Sequence, residues 1–466
     1  MKKIAIVYGT LETPMQKKAV SLLSELLLDY TYERTVCVPY GKETDLEDFR
    51  YIYVGTKASN PYVAQNPTDC PTLPEAYGIR VKDDTVTVEG YDDAGVVYGC
   101  MDFYNKYLVH REFPHDGLRY RLDPFRKELP DFNYASAPSV KQRGIWTWGH
   151  VIYDYRGFID NMVKLKMNTL VMWNDFAPTN ARDIVQYAHD NGIKLIWGYP
   201  WLWDVNCAAI DMLNAKDSIE SIIKVYEEQY LPLGGDGIYF QSFTEINREE
   251  VGGVLIAQAV TDFVNAAAGA LLDKYPDLEL QFGLHAESVK KKLEYIAKVD
   301  PRVRIVWENC GSFPYSYIPN DVKNFDQTQD FVRTIAALRG TDDRFGLVTK
   351  GLVKLDWLAF EHLKGPVEVG VSSRLMQDDR VVRKNRIWRY IQSYWLTHAD
   401  KVHEAVRTFT DAKQGDLYCT ALVEDGMFER NIMYPVALYS EMLWDADGDT
   451  KDMMSEVGLR SYVSFA

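Results

Sequence analysis

The first 135 residues combine short alternating stretches of apolar and polar positions with two longer stretches of helical periodicity. Alternation with period two predicts strands, and the turn Lys82-Asp83-Asp84 separates two of them. The predicted elements are a strand at Lys3–Val7, a helix at Met15–Leu28, strands at Tyr51–Val54, 78–81 and 85–88, and a helix that opens at Gly90 and runs through Leu108. We therefore interpret residues 1–135 as a small α/β domain. The stretch from Phe113 to Pro138 has little periodicity, which indicates a linker.

From Arg143 onward the pattern changes to strands that alternate with amphipathic helices, which is typical of parallel βαβ units. The predicted strands are Gly144–Trp148, Thr169–Trp173, Lys194–Tyr199, Gly237–Phe243, Glu279–Leu284, Val303–Glu308, Phe345–Thr349 and Val367–Val371. Eight such strands indicate a (β/α)₈ barrel, which we assign to residues 140–375. An open, doubly wound sheet is the alternative, but it usually has fewer strands and no GxGxxG turn is present.

Helical periodicity continues after the predicted barrel. The predicted helices are Val381–Leu396, His398–Ala412 and Asn431–Leu443, so residues 376–466 form a helical C-terminal region in this interpretation. The fold class predicted for the whole chain is α/β, with a small α/β domain, a TIM barrel and a helical C-terminal region in that order.

Composition and charge exclude several classes of partner. The formal net charge of −15 argues against nucleic acid, because phosphate contacts need clustered Lys and Arg. No apolar run is long enough to span a membrane. The first apolar run is too short for a signal peptide, so we expect a cytoplasmic protein, or a secreted or periplasmic one if a leader was removed. The six cysteines are scattered, so a structural metal site is not expected. No cofactor is implied by the sequence, and a homo-oligomer stays possible.

Tryptophan, carboxylate, amide and histidine side chains are concentrated where the predicted barrel strands end, which is where TIM barrels form their active sites. Aromatic rings stack on the CH faces of sugars, and carboxylates and amides bind sugar hydroxyls. The tryptophans and polar residues at these strand ends therefore predict a carbohydrate ligand, an oligosaccharide or a glycoside. The alternative is that the tryptophans fill the barrel interior or support loops. The predicted substrate-binding residues are Trp148, His150, Trp173, Asn174, Asp175, Trp201, Trp203, Asp204, His285, Glu287, Trp307, Asn309 and Lys350.

Hydrolysis of a glycosidic bond needs a carboxylic acid near the leaving oxygen and usually a second carboxylate. Glu245, at the end of the fourth predicted strand, is the candidate acid, and Glu308, at the end of the sixth, is its candidate partner. Asp175, Asp204 and Glu287 are the reserves, and each of these carboxylates could instead be a loop residue, a helix cap or half of an ion pair. Lys350 could pair with a substrate carboxylate or with Glu308. His150 and His285 lack the HxH or HExxH spacing of a metal site.

Short motifs near the start of the predicted barrel resemble those of β-hexosaminidases and α-glucuronidases. Gly78-Ile79-Arg80-Val81, Val86-Thr87-Val88-Glu89-Gly90 and Gly95-Val96-Val97-Tyr98-Gly99 resemble the accessory domain that precedes the barrel in these families. Arg143-Gly144, Phe158–Met162 and 166–170 are similar to the opening of their barrels. The resemblance covers about residues 75–205, and it implies a glycoside hydrolase of this superfamily.

One position departs from the pattern of the β-hexosaminidases. In that family an Asp-Glu pair follows the fourth strand, with Glu as the acid and Asp positioning the acetamido group of the substrate. The matching residues are Thr244 and Glu245, so the acid is retained and the Asp is not. The α-glucuronidases use an acid from the fourth strand and carboxylate bases from later strands, a role that Glu308 could fill, with Lys350 or Arg143 as a cation for an acidic sugar. Thr244 also keeps open a catalytically silent carbohydrate-binding barrel.

Overall fold

The computed structural model describes residues 3–31, 34–109, 131–148, 152–173, 176–202, 216–242, 249–285, 289, 291–309, 325–353, 365, 368, 370, 373–423 and 428–466. The chain forms two compact units. The first comprises Met1–Pro138, Asp190–Gly192 and Lys451–Val463, and the second comprises Ser139–His189, Ile193–Thr450 and Ser464–Ala466.

The first unit contains a six-stranded mixed sheet with the strand order β2-β1-β3-β5-β4-β6. The strands β1, β2, β3 and β5 are parallel, and β4 runs antiparallel to both of its neighbours. The elements in chain order are β1 (Lys3–Tyr8), α1 (Pro14–Thr31), β2 (Val36–Pro39), β3 (Phe49–Gly55), α2 (Pro61–Gln65), β4 (Tyr77–Lys82), β5 (Thr85–Gly90), α3 (Asp93–Asp102) and β6 (Phe132–Ser136). Asp92 caps α3 through a hydrogen bond from the Gly95 amide, as an Asp before a helix should.

The second unit contains a closed barrel of eight parallel strands, which confirms the predicted (β/α)₈ fold. The barrel strands are β7 (Gln142–Trp148), β8 (Thr169–Trp173), β9 (Lys194–Gly198), β10 (Gly237–Phe240), β13 (Glu279–His285), β14 (Arg304–Glu308), β15 (Phe345–Leu352) and β16 (Tyr418–Val423). A two-stranded antiparallel ribbon, β11 (Glu250–Val251) and β12 (Val254–Leu255), follows β10. The helices are α4 (Tyr155–Lys164), α5 (Ala181–Asp190), α6 (Lys216–Val225), α7 (Ile256–Lys274), α8 (Leu293–Ile296), α9 (Phe325–Ala336), α10 (Arg374–Ala412) and α11 (Tyr434–Trp444).

The eighth barrel strand is not the predicted segment Val367–Val371. The strand that closes the barrel is Tyr418–Val423, which pairs with both β15 and β7. The long helix α10 lies between β15 and β16, so the last barrel strand falls after residue 375, inside the segment that the sequence pattern assigns to the C-terminal region. The boundary between the two predicted helices of this segment coincides with His398, whose φ of −133° is not helical.

Helices continue after the last barrel strand. Helix α11 begins with Pro435 in its first turn, where a missing amide proton costs nothing, and every residue of it is buried. A further helix, α12 (Thr450–Leu459), belongs mostly to the first unit, and short strands lie at β17 (Ile432–Met433) and β18 (Val463–Ser464). Among the described residues no helix is long and apolar enough to cross a membrane.

Side chains alternate between the barrel interior and its outer surface, because successive residues of a strand point to opposite faces. The interior contains a cluster of buried side chains: Trp146, Val171, Trp173, Ile196, Tyr239, Val306, Val348, Val353, Tyr418 and Leu422. The barrel is therefore a packed core, and a ligand site belongs at one end of it.

Candidate active site

Part of every loop that follows a barrel strand lies outside the described residues. These segments contain seven of the predicted site residues, namely His150, Asn174, Asp175, Trp203, Asp204, Glu245 and Glu287, and the side chain of Trp148 at the end of β7 also lies outside the described part. The described part of the candidate site is therefore its floor, formed by interior residues at the C-terminal ends of the barrel strands.

Glu308 is the central residue of this floor. It is the last residue of β14, its side chain is 4% exposed, and it points into the barrel. Lys350 Nζ lies 2.8 Å from Glu308 Oε2. Gln241 Nε2 donates to Glu308 Oε1 at 2.7 Å, and the Tyr239 hydroxyl donates to the same oxygen at 3.2 Å. Of the two pairings that the sequence left open for Lys350, the structure has the ion pair with Glu308.

The surroundings of Glu308 keep its carboxyl group ionised. Burial raises its pKa, but Lys350, His285 and the hydrogen bond from Tyr239 lower it by more, so the pKa lies below the ordinary carboxyl value. Burial raises the pKa of Tyr239 well above its ordinary value, and the charge of Glu308 raises it further, so the phenol stays protonated and donates. A carboxylate in its ionised form can accept a proton or stabilise positive charge.

Three further residues border this ion pair. The Lys350 ammonium lies 5.0 Å from the ring centroid of Trp146, within cation–π distance. Trp173 packs edge-on against Tyr239, with ring centroids 5.8 Å apart, at the end of β8. His285 ends β13 in register with Glu308 and is partly exposed. The structure thus brings together four of the predicted residues: Trp173, His285, Glu308 and Lys350.

Two predicted tryptophans lie on the outside of the barrel. Trp201 stacks on Phe240 with ring centroids 3.6 Å apart, and Trp307 packs edge-on against Phe331 of α9 at 5.1 Å. Both side chains are fully buried, so neither ring has a face left for a sugar. Trp307 fills space between the barrel and α9, and Trp201 packs on Phe240 of β10, so a role of either ring in substrate binding stays a prediction that these contacts do not support.

Asn309 also has a structural contact. Its side-chain oxygen accepts the backbone N–H of Lys350 at 2.9 Å, and its own backbone N–H donates to Val348 O. These bonds extend the pairing of β14 and β15 by one residue. Asn309 therefore fixes the backbone that carries Lys350, and its amide oxygen already accepts one hydrogen bond.

Tyr239 and Gln241 are the site residues that the sequence interpretation missed. Tyr239 lies on β10 and Gln241 directly follows that strand, at positions of the same parity, so period-two alternation would have placed them on one face. Gly283, on the neighbouring strand β13, leaves the space that the Tyr239 side chain occupies. A Cβ on Gly283 would overlap the Tyr239 hydroxyl, so a glycine is needed for Tyr239 to reach Glu308.

No group of three His, Cys, Asp or Glu side chains with metal-ligand geometry occurs in the part of the chain that the structure describes. The described floor consists of one ion pair, neutral hydrogen-bond donors and aromatic rings.

No protein-family model and no curated protein sequence matches the chain. Solved structures with the same fold include three glycoside hydrolases. One is a GH138 enzyme targeting pectin rhamnogalacturonan II (TM-score 0.51, 12% identity, 97% of this chain and 52% of that chain). The second is CpGH84B (TM-score 0.56, 10% identity, 98% of this chain and 70% of that chain).

The third is BtGH115A, a GH115 4-O-methyl-α-glucuronidase with specificity for decorated arabinogalactans (TM-score 0.50, 15% identity, 96% of this chain and 57% of that chain). The chain spans between 52% and 70% of the length of these proteins. At such identities the likeness establishes a fold that these glycoside hydrolases share.

Proposed function

We propose that this protein is a glycoside hydrolase in which Glu245 is the general acid and Glu308 is the ionised second carboxylate. The observation that carries the proposal is the buried ion pair of Glu308 with Lys350 at the C-terminal end of the sixth barrel strand, where TIM barrels hold catalytic residues. The shared fold of the three glycoside hydrolases supports the same class of reaction.

The two carboxyl groups have different roles because only one of them is available as an acid. The leaving oxygen needs a proton, which the ionised Glu308 cannot supply. Glu245 follows the strand that carries Gln241 and donates that proton in this mechanism. Glu308 then either takes a proton from the attacking water or bonds to the anomeric carbon, and its charge stabilises the oxocarbenium-like transition state.

The substrate is an oligosaccharide or glycoside bound above the floor. His285 lies in register with Glu308 and can contact a sugar ring placed there, and Trp173, which packs against Tyr239, is the second candidate for such a contact. The remaining substrate contacts in this proposal come from the strand-end residues Trp148, His150, Asn174, Asp175, Trp203, Asp204 and Glu287. Lys350 is neutralised by Glu308, so its first role is to hold that carboxylate rather than a substrate anion.

A catalytically silent carbohydrate-binding barrel is the second candidate. It is favoured by the fact that both oxygens of Glu308 already accept hydrogen bonds, which reduces the basicity of the carboxylate. The replacement of the hexosaminidase Asp by Thr244 points in the same direction. The two candidates share the fold and the ligand, and they differ only in turnover.

Hydrolysis of a panel of aryl glycosides, including glucuronides and N-acetylhexosaminides, tests the proposal. We expect the wild type to hydrolyse one class and Glu245→Gln to lose about 10²–10⁴ of kcat, the range of general acid catalysis. Glu25→Gln, an exposed carboxylate of α1, is the matched control and should keep full activity. Sugar binding without turnover of any glycoside would support the silent barrel, and full activity of Glu245→Gln would refute the acid assignment.

A further inference from the structure

The barrel interior contains two groups that each consist of a glutamine, a tyrosine, a glutamate and a basic residue. The lower group, near the N-terminal ends of the strands, consists of Gln281, Tyr418, Glu279 and Arg304. Gln281 Nε2 donates to Glu279 Oε1 at 2.8 Å, and Gln281 Oε1 accepts from the Tyr418 hydroxyl at 3.0 Å. Arg304 Nε lies 3.1 Å from the same Glu279 oxygen. Both the nitrogen and the oxygen of the Gln281 amide therefore have a partner.

The upper group, at the C-terminal ends, consists of Gln241, Tyr239, Glu308 and Lys350. Gln241 Nε2 donates to Glu308 Oε1 at 2.7 Å and to the Tyr239 hydroxyl at 3.2 Å. Gln241 Oε1, by contrast, is buried and has no hydrogen-bond partner among the described residues. A buried acceptor without a donor costs free energy, so the upper amide is not arranged for stability in the way that the lower one is.

The orientation of the Gln241 amide follows from the charge of its neighbour. An ionised carboxylate only accepts hydrogen bonds, so the NH₂ end of Gln241 must face Glu308. Tyr239 is protonated and accepts from Gln241 while it donates to Glu308. The carbonyl end of Gln241 is therefore the unpaired one.

The donors are distributed unequally over the two oxygens of Glu308. Oε1 accepts from both Gln241 and Tyr239, whereas Oε2 accepts only from Lys350 among the described residues. A carboxylate oxygen has two lone-pair sites, so Oε1 is filled and Oε2 keeps one. Only Oε2 has capacity left for a proton or a new bond.

We propose that Gln241 is a positioning residue, which fills Oε1 of Glu308 together with Tyr239 and so makes Oε2 the reacting oxygen. Gln241 acts through Glu308 and does not itself touch the substrate. This inference rests on the proposed function for its catalytic consequence. Its structural consequence, a carboxylate held ionised and in one orientation, does not require a substrate.

Gln241→Met tests the proposal, because methionine keeps the length and approximate volume of the side chain and removes the donor. Tyr239→Phe removes the second donor to Oε1 and serves if Gln241→Met does not fold. Gln281→Met in the lower group is the matched control. Infrared spectra of ¹³C-glutamate-labelled protein, with Glu308→Gln subtracted, report the pKa of Glu308 without a substrate.

We expect Gln241→Met to raise the pKa of Glu308 and to lower kcat by about tenfold or more with KM within about twofold, because the acting oxygen is no longer held. Gln281→Met should lower the melting temperature and leave both the Glu308 pKa and kcat unchanged. An unchanged Glu308 pKa in Gln241→Met and Tyr239→Phe, or an equal effect of Gln281→Met, would overturn the inference. A shifted pKa in a protein without any turnover would support the positioning role and contradict the proposed function.

Discussion

Lys350 Nζ and Glu308 Oε2 lie 2.8 Å apart, at the C-terminal ends of neighbouring barrel strands, and both side chains are almost fully buried. A charge pair taken out of water is stable only if its remaining sites are satisfied, and here Gln241 and Tyr239 complete the shell of the carboxylate. The pair therefore sets the protonation state of the residue on which the proposed chemistry depends.

Lys350→Met should destabilise the protein by about 3–5 kcal/mol at neutral pH, because it leaves a buried carboxylate without its cation. In the wild type the folded-state pKa of Glu308 is lowered, so the stability that it contributes is present above its ordinary value of 4.5 and is lost as the pH falls through the lowered pKa. In Lys350→Met burial raises the pKa instead, so the variant should gain stability as the pH falls.

Urea denaturation of both proteins from pH 8 to pH 4 measures this prediction. The stability difference between them should shrink on acidification. A difference that stays constant over this range would mean that Lys350 and Glu308 are not coupled in the folded protein.

Gly283→Ala should disturb the floor of the candidate site, because the position of Tyr239 depends on this glycine. The added Cβ would overlap the Tyr239 hydroxyl and approach Gln241 Cγ, so Tyr239 must move away from Glu308. Overpacking of this kind costs about 1–3 kcal/mol, and kcat should fall along with it. Gly269→Ala, on helix α7 with no close neighbour, is the control for a glycine replacement. Equal kcat in Gly283→Ala and wild type would show that the Tyr239 contact is dispensable.

Trp307→Ala should lower the free energy of unfolding by about 3–5 kcal/mol and leave KM unchanged. The ring is fully buried between β14 and α9, where it contacts Phe331. Thermal denaturation and steady-state kinetics at a temperature where the variant is folded separate the two effects. A raised KM with unchanged stability would instead indicate that Trp307 contacts the substrate.

Asp416→Asn probes the opposite end of the barrel. Burial raises the pKa of Asp416, but Arg304, whose Nη2 lies 2.6 Å away, and Lys141 lower it by more, to about 2. The lowered pKa corresponds to about 2 kcal/mol of stability, present above pH 3.8 and lost as the pH falls toward 2. The difference in unfolding free energy between wild type and Asp416→Asn should disappear over that range, with kcat unaffected at neutral pH.

Most of the barrel follows from sequence periodicity, because buried parallel strands are short apolar runs separated by amphipathic helices. The last strand could not be located in this way. The runs 367–371 and 418–423 are both short and apolar, and the choice depends on pairing of Tyr418 with Gln142, a contact between distant parts of the chain. Periodicity reports local burial and carries no information about that partner.

The candidate site was predictable in part. Glu308 and Lys350 could be found because TIM barrels form their active sites where the strands end, and both are charged residues at predicted strand ends. The assignment of Trp307 to the site overlooked strand alternation, because neighbours in a strand face opposite sides and Glu308 and Trp307 could not both face the interior. The space that Gly283 leaves for Tyr239 depends on the register of β10 against β13, which only the structure supplies.

The most direct test of the central claim is the rate of glycoside hydrolysis by Glu308→Gln beside Glu279→Gln. Both variants neutralise a carboxylate that is paired with a cation inside the barrel, one in the upper group and one in the lower group. We predict that Glu308→Gln loses about 10²–10⁴ of kcat and that Glu279→Gln, assayed where it is folded, keeps wild-type kcat. Wild-type kcat in Glu308→Gln would contradict the account.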